Sequence, residues 1–92
     1  MRNSIEITDT IYDWNGTFDE LVNEFSAEEY KILLEEGSLE YTDAEWFEEE
    51  CYNTGDYADM LYNFIGDWLM SSISNGAKGK ETDNLFRLWN KR

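Results

Sequence analysis

The stretch from Asp56 to Gly76, DYADMLYNFIGDWLMSSISNG, decides the fold class. Tyr57, Met60, Leu61, Phe64, Ile65, Trp68, Leu69 and Ile73 recur at the three-then-four spacing of one buried helical face. Asp56, Asp59, Asn63 and Asp67 fall on the opposite side in this reading. Asn75-Gly76 then supplies two residues that tolerate the left-handed conformation of a helix end. The spacing predicts a helix from Asp56 to about Ser74, the longest stripe in the chain.

Shorter helices are expected on both sides of it. Thr17-Phe18-Asp19-Glu20, Ser26-Ala27-Glu28-Glu29 and Thr42-Asp43-Ala44-Glu45 each fit a capping box. In that motif a hydroxyl bonds the third helical N–H and the glutamate reaches back to the cap residue. Apolar stripes follow: Phe18, Leu21, Val22 and Phe25; then Tyr30, Leu33 and Leu34; then Ala44, Phe47 and Cys51. A last helix is expected from Thr82 to Lys91, with Leu85, Phe86 and Trp89 inward, after a loose stretch at Asn75–Lys80. Ile5 and Ile7 alternate with Glu6 and Thr8, which predicts a short N-terminal β-strand or extended arm. The expected fold is therefore mainly α, with about five short helices in a single small domain over residues 1–92.

Disorder is the first alternative for so acidic a chain, and composition argues against it. Hydrophobic residues make up 41% of the sequence, and the 15 aromatic residues supply large buried area. Cys51 stands alone, so no intrachain disulfide is expected, which suits a reducing cytoplasm. The start, Met1-Arg2-Asn3-Ser4, runs on without an apolar signal region, and no apolar run approaches a membrane span. A cytoplasmic protein that does not engage membranes is the expectation.

The charge is distributed very unevenly. Between Asn3 and Ala77 the chain carries 19 acidic residues against one basic residue, Lys31. Lys78 to Arg92 carries five basic and two acidic residues, and the whole chain has a net charge of −14. Such an imbalance makes the folded state repel itself, whereas ordinary soluble surfaces intersperse both signs. Carboxylates in first turns, among them Glu20, Glu29 and Glu45, have a structural reason, because the helix dipole favours them there. Glu35, Glu36, Glu48, Glu49 and Glu50 fall in expected last turns, where a carboxylate costs roughly 0.3–1 kcal/mol.

A surface maintained against its own repulsion points to a partner that reads negative charge. Duplex DNA carries about one charge per 1.7 Å of axis. Helix positions four apart are separated by about 6 Å of rise, of the order of the spacing between neighbouring phosphates. Carboxylates on rigid helices can therefore imitate a phosphate track. The residues expected to do so are Glu24, Glu35, Glu36, Glu40, Glu48, Glu49, Glu50, Asp59 and Asp67. The rival from another class is an acidic adaptor that binds one basic protein without competing with DNA.

Length, acidity, the lack of histidine and proline, and the run Met1-Arg2-Asn3-Ser4-Ile5-Glu6-Ile7-Thr8-Asp9 resemble the Arn family of anti-restriction proteins of T-even bacteriophages. The resemblance covers the whole chain and rests on its overall character. It implies a protein that imitates duplex DNA and occupies the DNA-binding site of a host restriction endonuclease of the McrBC kind, protecting phage DNA. Host nucleoid histone-like proteins are further expected partners, with no direct contact to nucleic acid.

Other chemistry finds less support. Asp13-Trp14-Asn15-Gly16-Thr17-Phe18-Asp19 matches the middle of an EF-hand loop, but Ile11 and Val22 stand at its first and twelfth positions. No metal or other cofactor is expected. Without histidine the usual Ser-His and Cys-His nucleophile pairs are excluded, and three glutamates before Cys51 disfavour its thiolate. The expectation is a non-enzyme. Trp68 and Trp89 sit on core stripes, whereas Trp14 and Trp46 are candidates for an exposed surface through which a homodimer would lengthen the charge track.

Overall fold

In the computed structural model, residues 1–37, 41–76 and 79–90 are described. Helix α1 (Ser4–Tyr12) occupies the segment where a strand or arm is expected. The Asn3 side chain accepts the Glu6 N–H at 2.9 Å and Glu6 reaches back to the Asn3 N–H at 3.2 Å, a fourth instance of the capping motif in the sequence. Ile7 and Ile11, four apart, bury one helical face, while Ile5 is exposed. Cap and spacing together outweigh the two-residue alternation that suggests a strand. Among the described residues no strand forms.

Helices α2 (Phe18–Glu24) and α3 (Ala27–Glu36) start at complete capping boxes on Thr17/Glu20 and Ser26/Glu29, as the sequence leads one to expect. Helix α4 (Ala44–Trp46) is capped by Asp43 rather than Thr42, its carboxylate accepting the N–H groups of Glu45 and Trp46. The Asp43 cap wins because its carboxylate reaches two orphan donors at once. Helix α4 then widens into a π-helical segment, Phe47–Tyr52. Helix α5 (Tyr57–Ser74) follows its Asp56 cap, and α6 (Lys80–Asn90) folds back along it. Ala77 and Lys78, within the stretch expected to be loose, lie outside the described residues.

Helix α5 is the hub, packing against α2, the π-helical segment and α6, while α1 covers α3 and α6. Its Met60, Leu61, Phe64, Ile65 and Leu69 are buried as predicted, but Ile73 is exposed. Position 73 lies beyond the last packed turn, so the stripe outruns its cover. In α6 the inward pair is Leu85 and Leu88, and Phe86 is exposed. Residues 85 and 88 share a face at three-residue spacing, whereas 86 is turned about 100° away. Trp89 lies flat on Tyr62 with ring centroids 5.3 Å apart.

An aromatic seam joins the layers. Tyr30 stacks on Tyr57 at 4.7 Å, with Phe25 edge-on at 5.9 Å and Tyr52 beyond Tyr57 at 6.0 Å. The Tyr30 hydroxyl donates to the Val22 carbonyl at 2.7 Å, and burial first of all holds it well above the usual tyrosine range. The α-carbon radius of gyration, 12.3 Å, is that of a folded chain of this length rather than a disordered one.

Two measurements test this packing. A Cβ at Gly66 would lie 2.8 Å from Trp89 Nε1, so Gly66→Ala forces the stacked indole aside. The overpacking exceeds the helix-propensity gain, for a net loss of about 1 kcal/mol in thermal unfolding. Glu29 is the second case. Burial raises its pKa, but hydrogen bonds from Ser26 and Arg2 and the Arg2 charge outweigh burial and leave it below its ordinary 4.5. Its contribution to stability is therefore complete above that value and disappears as pH falls through the lowered one. Glu29→Gln, which keeps the capping box, should lower Tm at neutral pH and converge with the parent in acid.

Candidate functional site

The carboxylates expected to mimic phosphates separate into distinct groups in three dimensions. Glu35 and Glu36 are exposed at the end of α3, which closes with the Gly37 N–H on the Leu33 carbonyl at 2.8 Å. Glu49 and Glu50 are exposed on the π-helical segment, and Glu48 is half-buried beside them. Helix α3 packs on that segment, which brings Glu35 and Glu48 together around Lys31. The i→i+5 bonding there, Asn53 N–H to Glu48 O at 2.8 Å and Asp56 N–H to Cys51 O at 3.0 Å, gives a wider turn than an α-helix.

One cation stands among them. Lys31 Nζ lies 3.1 Å from Glu48 Oε1 and 3.9 Å from Glu35 Oε1, and 5.1 Å from the Tyr52 ring centroid. Its hydrogen bond to Glu48 is the main reason its pKa is raised. The pairing with Glu35 is readable in the sequence as an i,i+4 step, although lysine before glutamate is the weaker order. The pairing with Glu48, 17 residues away, is not. Lys31 is thus a site residue that sequence periodicity does not single out.

Other expected residues stand elsewhere. Glu24 is held by Arg2, its Oε1 2.9 Å from the guanidinium, so its charge is largely matched within the chain. Asp59 is half-buried, 3.8 Å from Cys51 Sγ, and sits in the first turn of α5. Asp67 corrects the sequence reading outright: it is only 3% exposed and accepts the Tyr41 N–H at 2.8 Å. Residues 60, 64 and 67 follow the i, i+4, i+7 rule, so Asp67 shares a face with Met60 and Phe64. Glu40 lies outside the described residues.

The remaining chemistry is largely committed to structure. Cys51 is buried, and burial followed by the charges of Asp59 and Asp56 pushes its thiol up to about 11. Such a thiol is inert at neutral pH. In the loop that resembles an EF-hand, the carbonyls of Trp14 and Gly16 accept from Arg87 at 2.6 and 3.0 Å. Asn84 adds donors to the carbonyls of Tyr12 and Trp14, so α6 side chains cap the end of α1. The Arg87 guanidinium therefore binds this loop through its main-chain carbonyls. Among the described residues no group of three or more acidic or cysteine side chains could hold a metal ion.

Trp46 is exposed, as is Tyr41, whose hydroxyl lies 2.9 Å from Ser74 Oγ. Trp14, by contrast, packs against the core and donates its indole N–H to Thr17 O at 2.9 Å. Its apolar neighbours leave it half-buried, so the expected pair of exposed tryptophans reduces to one. No helix among the described residues is long and apolar enough to cross a membrane. No family model, curated protein or solved structure matches this chain.

Asp67 gives a direct test of these assignments. Removing a buried acceptor leaves the Tyr41 N–H without its partner, at a cost of about 1–3 kcal/mol. Asp67→Ala should therefore lower the melting temperature clearly, while binding of a basic partner by the folded fraction stays at the parental level.

Proposed function

We propose that this protein is a DNA mimic whose acidic face, formed by the end of α3 and the π-helical segment, occupies the DNA-binding site of a basic partner. The observation that carries the reading is the charge of these two packed elements: Glu35, Glu36, Glu49 and Glu50 are exposed, Glu48 is half-buried, and among the described residues Lys31 is the cation paired with them. Both elements are packed into the core through Leu33, Leu34, Phe47 and Cys51, so these charges are held on a stiff framework. Preorganised charge binds a basic groove without first ordering itself. Exposed charge also accelerates encounter with such a groove.

The resemblance to the Arn family gives this reading its partner: a host restriction endonuclease of the McrBC kind, with nucleoid histone-like proteins as further targets, inside the host cytoplasm. The protein itself performs no catalysis in this reading. Its product is an occupied DNA site and phage DNA left uncut.

One observation favours the adaptor instead. Trp46, immediately before the π-helical segment, is exposed, as is Tyr41, and exposed aromatic side chains are typical anchors of interfaces between proteins. Competition and salt separate the two readings. A mimic displaces duplex DNA from its partner, and its affinity falls steeply with salt, though less than DNA's, because isolated carboxylates release fewer condensed counterions. An adaptor binds beside retained DNA, and an affinity nearly flat in salt would argue for an apolar interface and against mimicry.

Glu49→Gln with Glu50→Gln is the sharper probe. Folding should be kept and Tm unchanged or raised, because like-charge repulsion falls. DNA displacement should weaken by about two- to fivefold per carboxylate. Lost stability with undiminished displacement would sink the assignment of these two residues.

A further inference from the structure

Resting on the DNA-mimic reading, we infer that Lys31 is an exchangeable internal occupant of a lysine-binding cage formed by Glu35, Glu48 and Tyr52, and that a lysine of the basic partner displaces it. Two carboxylates and an aromatic face around one ammonium are the chemistry that recognises an alkylammonium ion. The cage spans α3 and the π-helical segment.

Energetics separate Lys31 from the other cations whose surroundings are described. Arg2 is bound to Glu29, whose side chain is 8% exposed, and stands 5.3 Å from the Phe25 ring centroid. Arg87 is fixed on the carbonyls of Trp14 and Gly16 and on Asn84. Releasing either leaves buried polar groups unpaired, which is expensive. Lys31 is about one-third exposed and its partner Glu48 nearly one-half, at 35% and 46%. Exposed pairs of this kind are worth only about 0–1 kcal/mol. Lys31 can therefore leave for water at small cost while an incoming ammonium takes up the same contacts. The chain supplies a weak internal competitor, which lowers apparent affinity by the fraction of time the cage is filled.

The test uses octalysine as the probe, titrated calorimetrically into the full chain at low and physiological salt. Lys31→Met, which keeps an apolar stem near Tyr52, should bind octalysine about two- to fivefold more tightly even if its melting temperature falls. Lys31→Arg keeps the charge but grips carboxylates through a planar fork, so it should bind octalysine more weakly than the parent. Weaker or unchanged binding by Lys31→Met would overturn the exchange and leave Lys31 as a brace between α3 and the π-helical segment. Tighter binding by Lys31→Met with parental binding by Lys31→Arg would also overturn it, because general charge alone then accounts for the gain. Failure of the DNA-mimic reading shows separately, as duplex DNA that stays on its binding protein however much of the parent chain is added.

Discussion

The face-to-face stack of Tyr30 on Tyr57 is the contact on which the rest of the fold depends. Tyr30 is fully buried, and its ring meets the hub helix α5 while its hydroxyl is anchored on α2 through Val22. Phe25 and Tyr52 extend the seam to either side, and each outer ring has a cation near its face, Arg2 at 5.3 Å and Lys31 at 5.1 Å. The N-terminus, α2, α3, the π-helical segment and α5 are thereby tied by one continuous set of apolar and cation–π contacts. A chain with this much negative charge needs such a seam, because its surface works against compaction.

The described cations are used where their absence would cost most. Arg2 matches buried Glu29, and Arg87 with Asn84 satisfies the carbonyls at the end of α1. Both solve problems of burial, where an unpaired group is penalised by its lost hydration. Lys31 alone stands on the exposed acidic face, where water already screens the carboxylates. Among the described residues the buried side-chain polar atoms are paired, while Glu35, Glu36, Glu49 and Glu50 remain exposed. That division gives the acidic face a coherent role without requiring the fold to tolerate buried repulsion.

Much of the local structure was legible in the residues. The capping boxes at Thr17/Glu20 and Ser26/Glu29 and the long stripe of α5 act over a few residues, where backbone hydrogen bonding and helical spacing dominate. The same logic, applied to Asn3 and Glu6, reads α1 correctly, and a brief alternation of two isoleucines concealed it. The candidate site was legible only in outline. Glu35, Glu36, Glu49 and Glu50 are exposed as their positions suggest, whereas Asp67 and Glu24 are drawn into contacts with residues far along the chain.

By itself, the sequence determined helix class, most helix starts, the α5 face and the excess of negative charge, because each depends on neighbours within a turn or two. The tertiary structure decided which charges remain free. Tyr41 arriving over Asp67, Arg2 over Glu24 and Glu29, and Lys31 over Glu48 are pairings 17 to 27 residues apart. No local periodicity encodes them, since they arise only when packing of the apolar faces brings separate helices together and fixes which carboxylates meet a donor and which meet water.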